Sequence, residues 1–230
     1  MARKQAVTAE DQFLFRDRID AGQQLAERIA VLNLRRPLVL ALPRGGVPIG
    51  IEIAKALRAP LDLLLVRKIG LPWQPELAVG AVLDGTTPRT VINDEVARHA
   101  HMDEADIAHM ARVQLEEIEH RRRLWLSHRA HVPIRGRGVI VADDGVATGA
   151  TMRVALDAVR KEDPARLVLA TPVVPQHVAE ILDDACDDAV FLAMPEELIS
   201  VGMYYKDFHQ LHDDEVKRLL NRAWEKLPDR

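Results

Sequence analysis

The chain has 230 residues, of which 48% are hydrophobic, and its formal net charge is −4. This length predicts one domain, residues 1–230, that can bury a core without disulfides. Cys186 is the only cysteine, which is typical of proteins of the reducing cytoplasm. The negative charge argues against a general nucleic-acid or membrane-surface binder, and no apolar run approaches the roughly 20 residues that a membrane-spanning helix needs.

The first part of the chain predicts a helix, a strand, a turn and a second helix. Apolar residues recur at helical spacing over residues 17–34, and residues 37–42 (PLVLAL) have the composition of a buried strand. A turn rich in glycine and proline follows over 43–50 and leads into a helix predicted over 51–57.

The turn over 43–50 contains residues suited to binding an anion. Gly45 and Gly46 leave two backbone N–H groups free to converge on an anion, and Arg44 can add charge-assisted hydrogen bonds. The alternative interpretation is a plain connection between a strand and a helix, which is common in α/β proteins.

The next segment predicts a strand, a long loop and a hairpin. Residues 61–66 (LDLLLV) form the strand, whereas residues 69–77 (IGLPWQPEL) contain two prolines and a glycine, which indicates a loop. A long loop with a basic entry is typical of a lid. Strands are predicted over 78–83 and 89–93, with Asp84-Gly85 as the hairpin signal.

Residues 94–129 predict a helical insertion with a break near 101–103, where Asp103 can cap the second helix. The basic cluster at 120–123 follows Glu116, Glu117 and Glu119. Ion pairs between residues four apart on a solvated helix therefore explain the cluster better than nucleic-acid binding does.

The stretch over 139–151 (VIVADDGVATGAT) carries the strongest chemical signal. Its first four residues predict a buried strand, and helical spacing begins at Ala150. The start of a helix presents unpaired N–H groups and the positive end of the helix dipole, which suits a phosphate. Asp143 and Asp144 can accept hydrogen bonds from vicinal sugar hydroxyls close to a divalent cation. The alternative is an ordinary corner with capping Asp and Thr side chains.

The remaining elements complete an alternation of strands and helices. Strands are predicted over 166–171 and 187–193, a turn over 172–175, and helices over 176–185 and 213–226. Alternating strands and helices predict an α/β fold with a parallel sheet and helices on both faces. The two glycine-containing turns then lie side by side at the carboxyl ends of strands.

The stretch over 139–151 resembles the phosphoribosyl pyrophosphate (PRPP) signature of the type I phosphoribosyltransferases, which is a hydrophobic strand, Asp-Asp, two variable residues and Ala-Thr-Gly-x-Thr. The resemblance implies that Asp143 and Asp144 bind the ribose hydroxyls, and Mg²⁺ mostly through PRPP. It also implies that a loop holds the 5′-phosphate; the loop and helix start consist of Gly145, Val146, Ala147, Thr148, Gly149, Ala150 and Thr151.

The same resemblance implies a pyrophosphate loop at Arg44, Gly45 and Gly46. Relatives have a flexible loop that closes over PRPP, and a Lys or Arg at the base of that loop touches the pyrophosphate. Lys68 is the first candidate for this residue and Arg67 is the second. The catalytic residues expected on this basis are Arg44, Lys68, Asp143 and Asp144. The implied reaction transfers the 5-phosphoribosyl group to a nitrogen acceptor and releases pyrophosphate, with Mg²⁺ as cofactor.

The acceptor side is less well defined. Similar proteins have an Ala-x-Pro-Val segment, here with Pro172 and Val173, facing the nucleobase. Tyr205, Asp207 and Phe208 lie in a segment that resembles the Val-Gly-x-Tyr-x-Asp-Phe close of a bacterial subgroup, and packing of the C-terminal helix is the alternative role. Purine transferases carry Asp where this chain has Ala147, so no general base is evident within the signature and the nitrogenous acceptor is unidentified.

The resemblance implies a doubly wound parallel sheet of the type I phosphoribosyltransferase kind, with a β-hairpin and flexible loop. Its core covers residues 13–200, the helical insertion 94–129, and a C-terminal hood 201–230. A homodimer is expected by family analogy. Two other functions stay open: a non-catalytic PRPP-sensing regulator, and a hydrolase or phosphorylase acting on a phosphorylated ribose.

Overall fold

The computed structural model describes residues 14–84, 89–126 and 129–228. The strands are β1 (Leu38–Ala41), β2 (Leu61–Leu63), β3 (Val66–Leu71), β4 (Gln74–Leu83), β5 (Arg89–Ile92), β6 (Gly138–Ala142), β7 (Arg166–Val173) and β8 (Asp188–Ala193). The helices are α1 (Arg18–Ala30), α2 (Gly46–Leu57), α3 (Asp94–His99), α4 (Glu104–Trp125), α5 (Ala150–Arg160), α6 (Gln176–Asp183) and α7 (Asp213–Trp224), with a 3-10 turn at Val201–Tyr204. None of the described helices is long and apolar enough to cross a membrane.

A five-stranded parallel sheet forms the centre of the fold and confirms the predicted fold class. Its strand order is β2-β1-β6-β7-β8, and every neighbouring pair is parallel, with Leu38 opposite Val139 and Gly138 opposite Arg166. Strands that are covered on both faces need apolar residues throughout, which explains why their sequences are continuous hydrophobic runs.

Two hydrophobic layers cover the sheet, one on each face. Successive residues of a strand point to opposite faces, so Val39 and Ile140 pack with α1 and α2, whereas Leu38 and Val139 pack with α5 and α6. Helix α7 lies against α2 and α4. The carboxyl ends of the strands are left uncovered by these layers, and the loops that follow β1 and β6 emerge there.

A second, antiparallel sheet of β3, β4 and β5 forms an arm beside β2. The predicted hairpin between residues 78–83 and 89–93 is confirmed by the pairing of β4 with β5, although Gly85 of its turn signal lies outside the described residues. The predicted loop over 69–77 is wrong, because β3 and β4 pair directly around a turn at 72–73. Gly70 coincides with a register irregularity, and the paired residues of β5 reach only Gly80–Leu83 of β4.

The helical insertion is confirmed with its break. Asp103 caps α4, since its Oδ1 accepts from Asp106 N at 2.8 Å. Helix α4 packs on β3, β4 and α7, so it joins the arm to α7, which in turn lies against α2. The strand predicted over 61–66 is divided between β2 and β3.

Helix α2 begins at Gly46 rather than at residue 51. The glycine and proline content that predicted a turn is compatible with a first helical turn, because the N–H groups there have no intrahelical acceptor and Pro48 loses no hydrogen bond. Pro172 and Val173 were predicted in a turn and instead end β7.

A buried ion network fastens the arm to the sheet. The His131 imidazole lies between Asp62 of β2 and Asp84 at the end of β4, with Nδ1 and Nε2 each 3.5 Å from a carboxylate oxygen. Arg122 of α4 donates to Asp84 at 3.0 Å and also contacts His131. Hydrogen bonds that the imidazole donates to Asp62 and Asp84 raise the pKa of His131 to about 9, although burial opposes the effect.

Candidate functional site

The strand order creates a crevice between β1 and β6. The chain leaves β1 through α2 towards β2 on one side, and leaves β6 through α5 towards β7 on the other side. The two connections diverge over opposite faces of the sheet, and ligands of open α/β sheets bind at this switch point, outside the carboxyl ends of the strands. The β1 loop (residues 42–45) and the β6 loop (residues 143–149) line the crevice.

The two loops lie so close together that glycine is required between them. A Cβ atom on Gly45 would lie 2.1 Å from Asp144 Oδ2, and one on Gly46 would lie 2.4 Å from the Ala142 carbonyl oxygen. Leu42 N donates to the same Ala142 oxygen at 2.9 Å, and the Pro43–Arg44 peptide bond is cis. The sequence-based expectation that the two turns lie side by side is confirmed.

The β6 loop ends at an uncapped helix start. Gly149 is the N-cap of α5 with φ 78°, a conformation that favours glycine, and no described side chain caps the helix. Thr148, Ala150 and Thr151 are exposed, so this helix start is accessible to a ligand. An anion is stabilised at such a start by N–H donors and the helix dipole.

The two adjacent carboxylates occupy the base of the crevice. Asp143 Oδ1 accepts from Asp144 N at 2.9 Å. Burial raises the pKa of Asp143 well above its ordinary value, and the charge of Asp144 raises it further. Burial also raises the pKa of Asp144, while the Arg18 ion pair opposes that effect. A ligand that donates hydroxyl protons or brings a cation would stabilise both carboxylates.

Arg18 is a site residue that the sequence analysis missed. Its Nε donates to Asp144 Oδ2 at 2.7 Å and its Nη1 donates to the His209 carbonyl at 3.0 Å. Only 8% of the residue is exposed. A signal was present, because Arg18 falls on the buried face of α1 with Ala21 and Leu25 at spacings of three and seven, and an arginine on an apolar helix face needs a partner.

The first part of the C-terminal hood, residues 201–209, packs on the β6 loop. Tyr205 is 2% exposed and its hydroxyl donates to the Asp144 carbonyl at 2.6 Å. The Phe208 ring stacks on Tyr205 at 4.8 Å between centroids, and the Arg18 guanidinium lies 3.9 Å from the Phe208 centroid. A Cβ on Gly145 would lie 2.2 Å from Val201. Tyr205 and Phe208 therefore support the loop that carries the carboxylates.

Of the other residues predicted on the acceptor side, two are buried in the sheet and one is exposed. Pro172 and Val173 are buried in β7, where the Val173 carbonyl accepts from Val146 N at 2.9 Å. Asp207 accepts from His209 N at 3.1 Å and from its Nδ1 at 3.0 Å, and these bonds to His209 hold the pKa of Asp207 below its usual range. Its side chain is 61% exposed.

The basic residues predicted for the pyrophosphate come from two elements, Arg44 from the β1 loop and Arg67 and Lys68 from β3 of the arm. Arg44 is 3.6 Å from Asp213 of α7. Arg67 lines a cavity of about 90 Å³ together with Pro43, Asp143 and Thr151. Lys68 is the next residue of β3, opposite Ala81, so its side chain starts from the other face of the arm. The structure thus brings Arg67 to the carboxylates and directs Lys68 away from that cavity.

A second cavity of about 160 Å³ lies on the α5 side of the sheet. Its lining includes Leu40, Val159 and His131 and contains none of the residues of the β1 and β6 loops. This cavity therefore contains neither the adjacent carboxylates nor the uncapped helix start, which lie in the crevice at the carboxyl ends of the strands.

The residues of the crevice fit a magnesium ion held through a substrate. Mg²⁺ prefers oxygen ligands and is usually bound by one or two carboxylates plus substrate phosphates, and Asp143 and Asp144 supply such carboxylates. Within the described ranges, no group of three His, Cys, Asp or Glu residues could hold a metal ion. Hydroxyl or phosphate oxygens of a ligand would have to complete the coordination.

The fold and the crevice define an α/β protein with adjacent carboxylates and an uncapped helix start at the switch point of its parallel sheet. The family model described as phosphoribosyl transferase domain matches residues 16–206. The chain belongs to this family of transferase enzymes.

Known relatives agree with the family assignment. Two proteins of Mycobacterium tuberculosis, "Putative phosphoribosyl transferase MT0597" from strain CDC 1551 / Oshkosh and "Putative phosphoribosyl transferase Rv0571c" from strain H37Rv, are each 44% identical over 210 residues. The match covers 91% of this chain and 47% of each relative, so the chain spans about half their length. The crystal structure of TT1426 from Thermus thermophilus is 39% identical with a TM-score of 0.80, covering 91% of this chain and 98% of that one.

Proposed function

We propose that the chain binds PRPP with Mg²⁺ and transfers the 5-phosphoribosyl group to a nitrogen acceptor, releasing pyrophosphate. The observation that carries the proposal is the contact of the two loops at Gly45 and Asp144. It sets the adjacent carboxylates between a glycine-lined turn and an uncapped helix start. This spacing of acceptors and donors suits a ribose with a phosphate at one end and a diphosphate at the other.

In the proposed complex, Asp143 and Asp144 accept hydrogen bonds from the ribose hydroxyls. The β6 loop and the start of α5 hold the 5′-phosphate through N–H and Thr hydroxyl groups. The β1 loop, with Arg44, holds the diphosphate; the Arg44–Asp213 pair, with both side chains partly exposed, is weak enough to be exchanged for it.

The proposed reaction breaks the bond between the anomeric carbon and the diphosphate oxygen, and the electron pair leaves with the pyrophosphate. The acceptor nitrogen forms the new bond to the same carbon, and its proton passes to the departing pyrophosphate or to water. Positive charge develops on the sugar beside Asp143 and Asp144. Arg44 of the β1 loop and Arg67 of the arm neutralise the negative charge of the leaving group. Mg²⁺ supplies further neutralisation of the diphosphate. The pairing of Arg18 with Asp144 holds that carboxylate in place for the ribose.

Phosphorus NMR of PRPP, Mg²⁺ and the protein with a panel of nucleobases and simple amines tests the proposal. We expect free pyrophosphate together with a new 5′-phosphoribosyl resonance, and division of the panel then identifies the acceptor. Ribose 5-phosphate as the sole organic product would contradict transfer and favour hydrolysis. Broadening of the PRPP resonances without turnover for any acceptor would favour a PRPP sensor.

Two further expectations from the sequence stay predictions. Fractionation of cells tests the cytoplasmic location, and sedimentation velocity of the purified chain tests the homodimer.

A further inference from the structure

Two arginines on the arm side of the crevice share one carboxylate. Glu117 Oε1 lies 2.8 Å from Arg67 Nη2 and accepts from Arg121 Nε at 3.0 Å. Arg67 comes from β3 and both other residues from α4. These hydrogen bonds and charges, with that from Arg121 first, hold the pKa of Glu117 below its usual value, so the carboxylate is ionised.

Both arginines line the cavity that reaches the site. The lining of the cavity of about 90 Å³ includes Arg67 and Arg121 together with Pro43, Asp143 and Thr151. Pro43 belongs to the β1 loop and Thr151 to the first turn of α5. The two guanidinium groups therefore share a space with the residues proposed to hold the diphosphate and the 5′-phosphate.

The arrangement has spare capacity for an anion. Both guanidinium groups pair with the same Glu117 carboxylate, and Arg67 Nε is buried without a hydrogen-bond acceptor among the described residues. The side chains of Arg67, Arg121 and Glu117 are 34%, 36% and 40% exposed. Ion pairs this exposed contribute little free energy, whereas a diphosphate offers more charge and several oxygens to the fork of each guanidinium.

We propose that Arg67 and Arg121 form an arginine pair that binds the diphosphate of the donor, and that Glu117 occupies the pair until the diphosphate displaces it. The inference rests on the proposed function and adds Arg121, a residue of the helical insertion, to the leaving-group site. Glu117 acts as a competitor of the ligand, because its carboxylate pairs with both guanidinium groups when no diphosphate is bound.

Titration calorimetry with inorganic pyrophosphate and Mg²⁺ tests the arginine pair without any turnover. We expect Arg121→Gln to weaken pyrophosphate binding by about 10- to 100-fold, as the loss of a charge-assisted hydrogen-bond partner implies. Glu117→Gln removes the competing charge and should strengthen the binding several-fold. Ribose 5-phosphate, which lacks the diphosphate, should bind equally to wild type and both variants, a result that a general structural defect would not give.

Arg123→Gln is the matched control, because Arg123 lies two residues along α4 and pairs only loosely, at 3.7 Å, with Glu119. Pyrophosphate affinity of Arg121→Gln equal to that of Arg123→Gln would overturn the proposal, as would weaker binding by Glu117→Gln. Such results with PRPP turnover intact would leave the transferase function standing. Pyrophosphate binding that depends on Arg121 in a protein without turnover would support the arginine pair and count against the transferase.

Discussion

Two places in the molecule bury a pair of carboxylates, and they differ in how the charge is compensated. In the crevice, Asp143 and Asp144 come from one loop and face the Arg18 guanidinium. In the ion network, Asp62 and Asp84 come from two sheets and are joined by His131 and Arg122. The network pairs each of its two carboxylates with a cationic group, whereas in the crevice Asp144 is the one carboxylate of the two that forms an ion pair among the described residues.

The difference distinguishes a structural ion cluster from a binding site. Buried charge is costly unless it is paired, and the network meets that condition within the protein. The crevice does not, since burial and mutual repulsion raise the pKa of Asp143. Asp143, which forms no ion pair among the described residues, lies at the carboxyl end of β6, where a sugar hydroxyl or a cation can approach. Perturbed carboxylates in a crevice are typical of functional sites.

The largest effect is expected when the guanidinium that pairs with Asp144 is removed. Arg18→Gln leaves Asp144 buried beside Asp143 without its ion pair, so the free energy of unfolding should fall by about 3–5 kcal/mol, measured by denaturant unfolding. Arg28→Gln is the control on the same helix, because Arg28 is exposed and, among the described residues, donates to the Phe191 carbonyl rather than to a carboxylate. Equal losses in the two variants would show that the crevice is not short of positive charge.

The ion network should depend on pH in the opposite sense from an acidic site. The pKa of His131 is 6.5 in an unfolded chain and about 9 in the fold, so its contribution is complete below 6.5 and is lost as the pH rises through 9. The difference corresponds to on the order of 3 kcal/mol. Unfolding free energies measured from pH 6 to pH 9 should decline more steeply in wild type than in His131→Gln.

Parallel decline in the two proteins would show that His131 does not carry the proton. Subtracting the variant's curve removes the contribution of other histidines, including His209, whose pKa is raised by its hydrogen bonds to Asp207 and Glu215.

A substitution at Asp144 tests whether the carboxylate pair of the crevice binds the ligand. We expect Asp144→Asn to weaken PRPP binding about 100-fold, or about 2.7 kcal/mol, because the amide keeps the shape but loses the charge that the ribose hydroxyls and Mg²⁺ require. Fluorescence or calorimetric titration with PRPP and Mg²⁺ measures the change. Asp157→Asn removes an exposed carboxylate that pairs with Arg153 on α5 and should leave the affinity unaltered; unchanged affinity in Asp144→Asn would remove the assigned ribose role.

The local part of the site could be predicted from the sequence, and the distant contacts could not. The β6 loop is one continuous stretch, so strand, carboxylates and helix start are all encoded within residues 139–151. Arg18 reaches Asp144 across 126 positions, and Val132 N reaches Asp62 across 70. Hydrophobic periodicity indicates which face of a helix or strand is buried, but it does not indicate which residues contact that face.

The arm shows a different limit. Glycine and proline over residues 69–77 predicted a loop, yet the same residues fit a hairpin with a bulge at Gly70 and an unpaired stretch near the turn. Composition alone cannot separate these two structures, because both lack regular apolar spacing. The packing of β3 and β4 on α4 decides between them.

The smallest expected effect concerns the support of the crevice by the hood. Tyr205→Phe removes the hydroxyl that donates to the Asp144 carbonyl at 2.6 Å, and the free energy of unfolding should fall by about 1 kcal/mol because a partly buried carbonyl loses its donor. Burial raises the pKa of Tyr205 above its ordinary value, so the hydroxyl keeps its proton in ordinary buffers. PRPP affinity should fall by less than in Asp144→Asn, since the carboxylate itself is retained. Tyr204→Phe, which changes the neighbouring tyrosine in the same hood, is the control. A loss of affinity as large as that of Asp144→Asn would mean that the hood, and not the charge of the carboxylate pair, determines whether the ribose binds.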